Sequence, residues 1–170
     1  MNGLISDLLN MAEIENEKPQ ENFKEENLSK AVENVVLTFE SLMFEKNIKL
    51  DYKITENIKL ECNGNQIKQV LAILIDNAIK HCEKEGKINI NLYKEKNNII
   101  LEVQNTGEEI PKEEQNKIFE RFYRADKSRN RNENRYGLGL AIAKTIVEKH
   151  NGKIEVKSEK RLTTFRVVLR

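Results

Sequence analysis

Between residues 28 and 43 the apolar side chains Leu28, Val32, Val35, Val36, Phe39, Leu42 and Met43 recur with a helical period, which predicts an amphipathic helix and the start of a globular domain. At about 1.5–3 kcal/mol for each fully buried side chain, that face could supply a large share of core burial. Ile48, Leu50, Tyr52 and Ile54 then alternate as a strand. A shorter strand over residues 58–62 ends at an expected Asn63-Gly64 turn. Asn65 is the expected N-cap of a helix carrying Ile67, Val70, Leu71, Leu74, Ile75, Ala78 and Ile79. Residues 88–92 and 99–103 read as paired strands joined across a polar turn, and Pro111 suits the first position of a short helix holding Glu113 and Glu114 near its positive end. After a stretch almost without apolar pattern, Leu138, Leu140, Ala141, Ile142, Ile146 and Val147 restore the helical period. Gly152 is the expected left-handed cap that stops this helix, and strands over residues 153–157 and 163–169 finish the chain. Ahead of the domain, Leu4, Ile5, Leu8, Leu9 and Ala12 form one narrow apolar stripe. A charged run and Pro19 follow, and residues 17–26 read as a connector.

Helices set among hairpin-connected strands favour a two-layer α/β sandwich with a mixed sheet over a doubly wound parallel fold. The 170 residues, 38% of them apolar, fit one compact domain with an appended element. Twenty-nine Lys and Arg against 28 Asp and Glu leave a net charge of +1, so no global field draws the chain to nucleic acid or an anionic membrane. Its longest uninterrupted apolar run, residues 70–75, is far below the roughly 20 residues of a membrane helix. The first residues lack the layout of a signal peptide, and the chain reads as cytosolic. Cys62 and Cys82 sit in no metal-site spacing and read as ordinary buried thiols.

Four local patterns could carry chemistry. In Asp76-Asn77-Ala78-Ile79-Lys80-His81, helical spacing puts Asn77, Lys80 and His81 on one face, opposite Leu71, Leu74, Ile75 and Ala78. An amide oxygen can ligate Mg²⁺ and an ammonium suits phosphate, although a solvated polar face is the plainer reading. In Asn105-Thr106-Gly107 with Ile110-Pro111, a strand exits into a glycine turn. There Gly107 permits close approach of a planar ligand and Asn105 matches the donor and acceptor of an adenine edge; an ordinary loop is the alternative. Residues 118–124 put Phe119, Phe122 and Tyr123 just before a polar segment, residues 121–135, with a local excess of four positive charges. Those charges suit a triphosphate and equally a nucleic-acid backbone. Finally, Gly137-Leu138-Gly139-Leu140 opens a helix with unhindered backbone N–H groups, a ready anion site.

In this order and spacing the four patterns resemble the ATP-binding catalytic domain of sensor histidine kinases, in the gyrase, chaperone, histidine kinase and mismatch-repair ATPase superfamily. The 76–81 stretch looks like its N box, 105–111 its first glycine box, 118–124 its F box and 137–142 its second glycine box. The resemblance implies a Bergerat fold of five mixed strands under three helices, with ATP and Mg²⁺ as ligands. It implies that Asn77 ligates Mg²⁺, Lys80 contacts phosphate, His81 lies beside the nucleotide and Asn105 reads adenine. Gly107 and Ile110 would floor the base pocket, with Thr163 nearby. Tyr123 would belong to the ATP site, Arg124, Lys127 and the remaining bases to Arg135 would form a mobile lid hinged near Gly137, and Gly137, Leu138, Gly139 and Leu140 would hold phosphate at the helix start.

The resemblance further implies three segments: residues 1–18 as the end of the second dimerisation and phosphotransfer helix, 19–26 as a linker and 27–170 as the catalytic domain. The implied activity is transfer of the ATP γ-phosphoryl group to a histidine on a separate dimerisation domain of the same or a partner protomer. A response regulator would be reached through a full-length, membrane-anchored kinase, dimeric only with the complete dimerisation domain, and no nucleic acid is expected as partner. The alternative is a regulatory nucleotide-binding module with a weakened or lost kinase step. It is motivated by departures from the family pattern: Asn105 for a carboxylate, Ile73 for a polar residue one turn before Asn77, Glu109 for a glycine, and Arg161-Leu162 where a last glycine box is expected. No general base is assigned.

Overall fold

In the computed structural model, residues 2–18, 20–124 and 136–170 are described. Helix α1 (Asn2–Asn16) precedes strand β1 (Lys24–Asn27), helix α2 (Leu28–Glu45), strands β2 (Lys49–Ile54) and β3 (Lys59–Cys62), and helix α3 (Gly64–His81). Strands β4 (Lys87–Glu95) and β5 (Asn98–Thr106) form a hairpin, followed by the one-turn helix α4 (Lys112–Gln115) and a 3₁₀ turn (Lys117–Phe119). Helix α5 (Gly139–Lys149) leads to the last hairpin, β6 (Lys153–Glu159) and β7 (Leu162–Leu169).

Five strands make one mixed sheet in the order β2-β4-β5-β7-β6, with β2 parallel to β4 and the other pairs antiparallel. Alternation places Ile88, Ile90 and Leu92 of β4, Leu101 and Val103 of β5, and Phe165, Val167 and Leu169 of β7 in one buried cluster with Val32, Val36, Leu71, Leu74, Ile75, Ile142 and Ile146 of the three long helices. The two-layer sandwich of five mixed strands under three helices is therefore the one expected.

Local differences have local causes. Residues 24–26, expected as connector, form with Asn27 strand β1, antiparallel to β3 in a separate two-stranded sheet. Its Lys-Glu-Glu-Asn sequence has no apolar alternation, so only its partner reveals it. Asn63, not Asn65, caps α3: its side chain accepts from the Gln66 N–H at 3.2 Å. The Asn63-Gly64 pair, expected as a turn ahead of the helix, is thus the helix start itself. Pro111 stands at the N-cap of α4, one place before the position expected. At the end of α5 the left-handed residue is Asn151, φ 55°, and not Gly152. Gly152 is needed for space, because a methyl there would lie 2.5 Å from the Val168 carbonyl oxygen.

Helix α1 forms, but its buried residues are Met11 and Ile14, with Leu4 packed beside them, while Ile5 and Leu9 are each 59% exposed. The face that packs is fixed by polar ties near the helix end: the Lys149 ammonium donates to the Ile14 carbonyl and to the Glu17 carbonyl at 2.7 Å, and Arg121 pairs with Glu15. His150, at the end of α5, is buried. Its Nδ1–H donates to the Ile146 carbonyl at 2.8 Å, Nε2 accepts from the Asn63 N–H at 3.1 Å, and Phe23 stacks on the ring at 4.4 Å. Burial pushes its imidazole below the ordinary value, against a smaller opposing effect of the Ile146 carbonyl. Burial likewise raises the Cys62 thiol to about 11, and both cysteines are free.

Candidate functional site

The expected face of α3 is present. Leu71, Leu74, Ile75 and Ala78 are fully buried, Asn77 is half-buried, and Lys80 and His81 are exposed in the last turn. From His81 the chain turns directly against the exit of β5. Cys82 bridges to Gly107, and the Glu83 N–H donates to the Thr106 carbonyl at 3.1 Å. The backbone at Gly107 has φ +153°, and a methyl there would lie 2.2 Å from the His81 carbonyl oxygen, so only glycine lets strand exit and helix end close on each other. The end of the helix that carries Asn77, Lys80 and His81 is thereby held against the turn that follows Asn105.

Asn105 is 2% exposed, on the helix-facing side of β5 opposite Thr163 of β7. Its amide Nδ2 donates to the Thr106 carbonyl at 3.2 Å. Beside it the Ser158 and Thr163 hydroxyls share a hydrogen bond of 2.8 Å, and Ser158 Oγ accepts from the Ile110 N–H at 2.9 Å. The Gln115 amide closes this wall by donating to the carbonyls of Ile110, at 2.9 Å, and Ser158, at 3.0 Å. Sequence reading missed Ser158 and Gln115. Buried hydroxyls two places either side of a two-residue turn were the available signal, since inward parity on a strand with polar side chains asks for partners.

Among the aromatics, Phe119 enters the core and meets Phe165 edge-on at 6.1 Å, Phe122 is exposed, and Tyr123 is half-buried, its phenol raised by desolvation and by the Glu114 carboxylate. The Phe122 N–H donates to the Gly137 carbonyl at 3.0 Å, so the described residues on either side of 125–135 meet. Gly137 has φ 72°, and a methyl there would lie 2.7 Å from the Tyr123 carbonyl oxygen, so the position needs glycine. Arg124 is exposed. Lys127 and the other lid bases through Arg135 lie outside the described residues. Leu138 is buried as the N-cap of α5, Leu140 is half-buried, and Gly139 opens the helix over Ile73, whose Cγ2 is 3.5 Å from where a methyl on Gly139 would sit.

Among the described residues no group of three or more His, Cys, Asp or Glu side chains could cage a metal. Asn77 offers one neutral amide oxygen, a donor set that suits Mg²⁺ carried chiefly by phosphate and water. A cavity of about 320 Å³ lies elsewhere, between α1, the 3₁₀ turn and α5, lined by residues such as Met11, Phe119, Arg121 and Thr145 and by no expected nucleotide residue.

Residues 62–170 match the family described as histidine kinase-, DNA gyrase B-, and HSP90-like ATPase. The chain is 39% identical over 160 residues to the sensor protein DltS of Streptococcus agalactiae serotype III; the match takes in 94% of this chain and 40% of that protein's length. The nucleotide-free catalytic domain of the histidine kinase ThkA superposes with a TM-score of 0.77 at 30% identity, covering 86% of this chain and 94% of that one. ThkA in complex with the response regulator TrrA superposes with a TM-score of 0.74 at 30% identity, covering 86% of this chain and 41% of that one. With the Asn77 helix, the Asn105–Gly107 turn and the Gly137–Gly139 helix start in place, the chain belongs to the histidine kinase-, DNA gyrase B-, and HSP90-like ATPase family, as the ATP-binding catalytic domain of a sensor histidine kinase.

Proposed function

We propose that this chain binds Mg²⁺–ATP between the end of α3 and the exit of β5 and transfers the γ-phosphoryl group to a histidine on a separate helical domain. The observation that carries the reading is the buried Asn105 amide, set on the sheet beside Thr163 and next to the Gly107 turn that closes on His81. Asn105 takes the adenine edge, Gly107 and Ile110 floor the base, and Thr163 lines the wall. Asn77 holds Mg²⁺, which supplies charge neutralisation on the phosphates. Lys80 and His81 face the polyphosphate side, with Tyr123, Arg124, Lys127 and the 137–140 helix start closing over it. Phosphoryl transfer needs little covalent chemistry from the protein, so positioning and positive charge lower the barrier and no general base is required here.

Helix α1 would be the end of the second dimerisation and phosphotransfer helix, residues 19–26 a linker and 27–170 the catalytic domain of a longer, dimeric, membrane-anchored sensor with its catalytic part in the cytoplasm. No helix among the described residues is long and apolar enough to cross a membrane. As ThkA was solved with a response regulator, the cognate partner here would be a receiver of that class. A second reading, nucleotide sensing without transfer, is favoured by one contact: Ile73 puts an apolar side chain under Gly139, between the metal-side helix and the phosphate-side helix. Mixing the chain with labelled Mg²⁺–ATP and a separately made phosphotransfer domain decides. Labelled histidine supports transfer; bound ATP with no label refutes it and leaves the sensing module.

A further inference from the structure

The β6–β7 hairpin turns at Lys160 and Arg161, whose φ values of 52° and 60° place both in the left-handed region that non-glycine residues rarely enter. Such strain persists only where the surroundings over-determine it. At Arg161 they do. Its N–H donates to Glu109 Oε1 at 2.7 Å, its carbonyl accepts from the Gly107 N–H at 3.0 Å, and its guanidinium meets Glu83 Oε2 at 2.6 Å. Glu83 is itself tied by its N–H to Thr106. Three turns therefore converge on one residue: the one after α3, the one leaving β5 and the one between β6 and β7. Glu109 and Arg161 are also two of the places where the chain departs from the glycines its resemblance leads one to expect, and the two departures touch.

We propose that Glu109 and Arg161 form a clasp that positions the adenine end of the nucleotide site without touching the nucleotide. The Glu109 carboxylate fixes the hairpin tip by its main chain, and the tip in turn fixes the Gly107 N–H, so the turn beside Asn105 keeps its shape although both glycines are replaced. Arg161's pair with Glu83 is largely solvent-exposed and is the lesser part of the clasp. The inference rests on the reading that adenine sits at Asn105.

The test is calorimetric titration of the whole chain with AMP-PNP and with ADP, for the native protein, Glu109→Ala, Glu109→Gln and Arg161→Gly. Because both ligands share the adenine end, Glu109→Ala weakens both by the same factor, roughly three- to tenfold for loss of a charge-assisted bond to a binding turn. Glu109→Gln keeps a neutral acceptor and recovers part of the loss. Arg161→Gly preserves the left-handed turn and both main-chain bonds, and weakens binding by no more than about twofold. Equal affinity in native protein and Glu109→Ala overturns the clasp, as does a fall in melting temperature with affinity unmoved, which marks a purely structural role. If Glu109→Ala does not fold, Glu109→Gln carries the same comparison. Native protein that binds neither nucleotide refutes the site itself and the clasp with it.

Discussion

Replacing Asn105 by aspartate separates what this side chain does for the fold from what it does for the ligand. The native amide donates to the Thr106 carbonyl at 3.2 Å in a position 2% exposed. In Asn105→Asp that bond is lost and a carboxylate oxygen faces a carbonyl oxygen with little water to screen it. A buried group deprived of its partner costs about 1–3 kcal/mol. At roughly 2–4 °C per kcal/mol for a protein of this size, the ligand-free variant should melt lower by about 2–12 °C. Toward adenine the sign reverses. A carboxylate accepts the exocyclic amino proton through a charge-assisted bond where the amide makes a neutral one, a gain of about 1 kcal/mol, or five- to tenfold tighter ATP. Saturating nucleotide should therefore narrow the gap in melting temperature between variant and native protein by the same free energy. Calorimetry with AMP-PNP and thermal melts with and without it measure both halves. Weaker or unchanged affinity in an Asp variant that still unfolds cooperatively would show that Asn105 does not read the base.

Asn77→Ala should bring the ratio of ATP affinities with and without Mg²⁺ to about one while leaving the melt within about 2 °C of native, since Ala is the best helix former; Mg²⁺-dependent tightening that survives excludes Asn77 as the metal ligand. Gly107→Ala forces a methyl to 2.2 Å from the His81 carbonyl oxygen and should abolish nucleotide binding and destabilise by at least about 2 kcal/mol, read from the urea midpoint; native-like binding would mean that the turn can open without consequence. For His150 burial lowers the folded-state value below the ordinary one, so the unfolded chain takes up the proton first and stability, full above about pH 6.5, is lost as pH falls below it. Its slope is at most about 1.4 kcal/mol per pH unit for one proton, and His150→Phe should flatten that part of the curve; parallel native and variant curves between pH 7 and 5.5 would refute the assignment.

How far such effects could be read in advance depends on whether a residue's role is set by its neighbours in sequence or by distant ones. Helices α2, α3 and α5 and the hairpin β4–β5 were legible because apolar periodicity is a local property and one face of each meets one core. The candidate site was legible for the same reason in part: Asn77, Lys80 and His81 share a helix face, and Gly107 follows Asn105 by two places. Along α1 periodicity misled, because two faces of that helix carry apolar residues and the choice between them is made by Lys149 and Arg121, more than 100 residues away. Strand β1 has no pattern of its own and exists by pairing with β3. Glu109, Arg161 and Glu83 were hidden most completely. In a chain with 34% charged residues, three more charges have no signature, and their partners lie 52 and 78 positions apart. Read one at a time, Glu109 and Arg161 looked like losses from a glycine pattern; placed in space, the Glu109 carboxylate accepts from the N–H of the left-handed Arg161, whose carbonyl accepts from the Gly107 N–H.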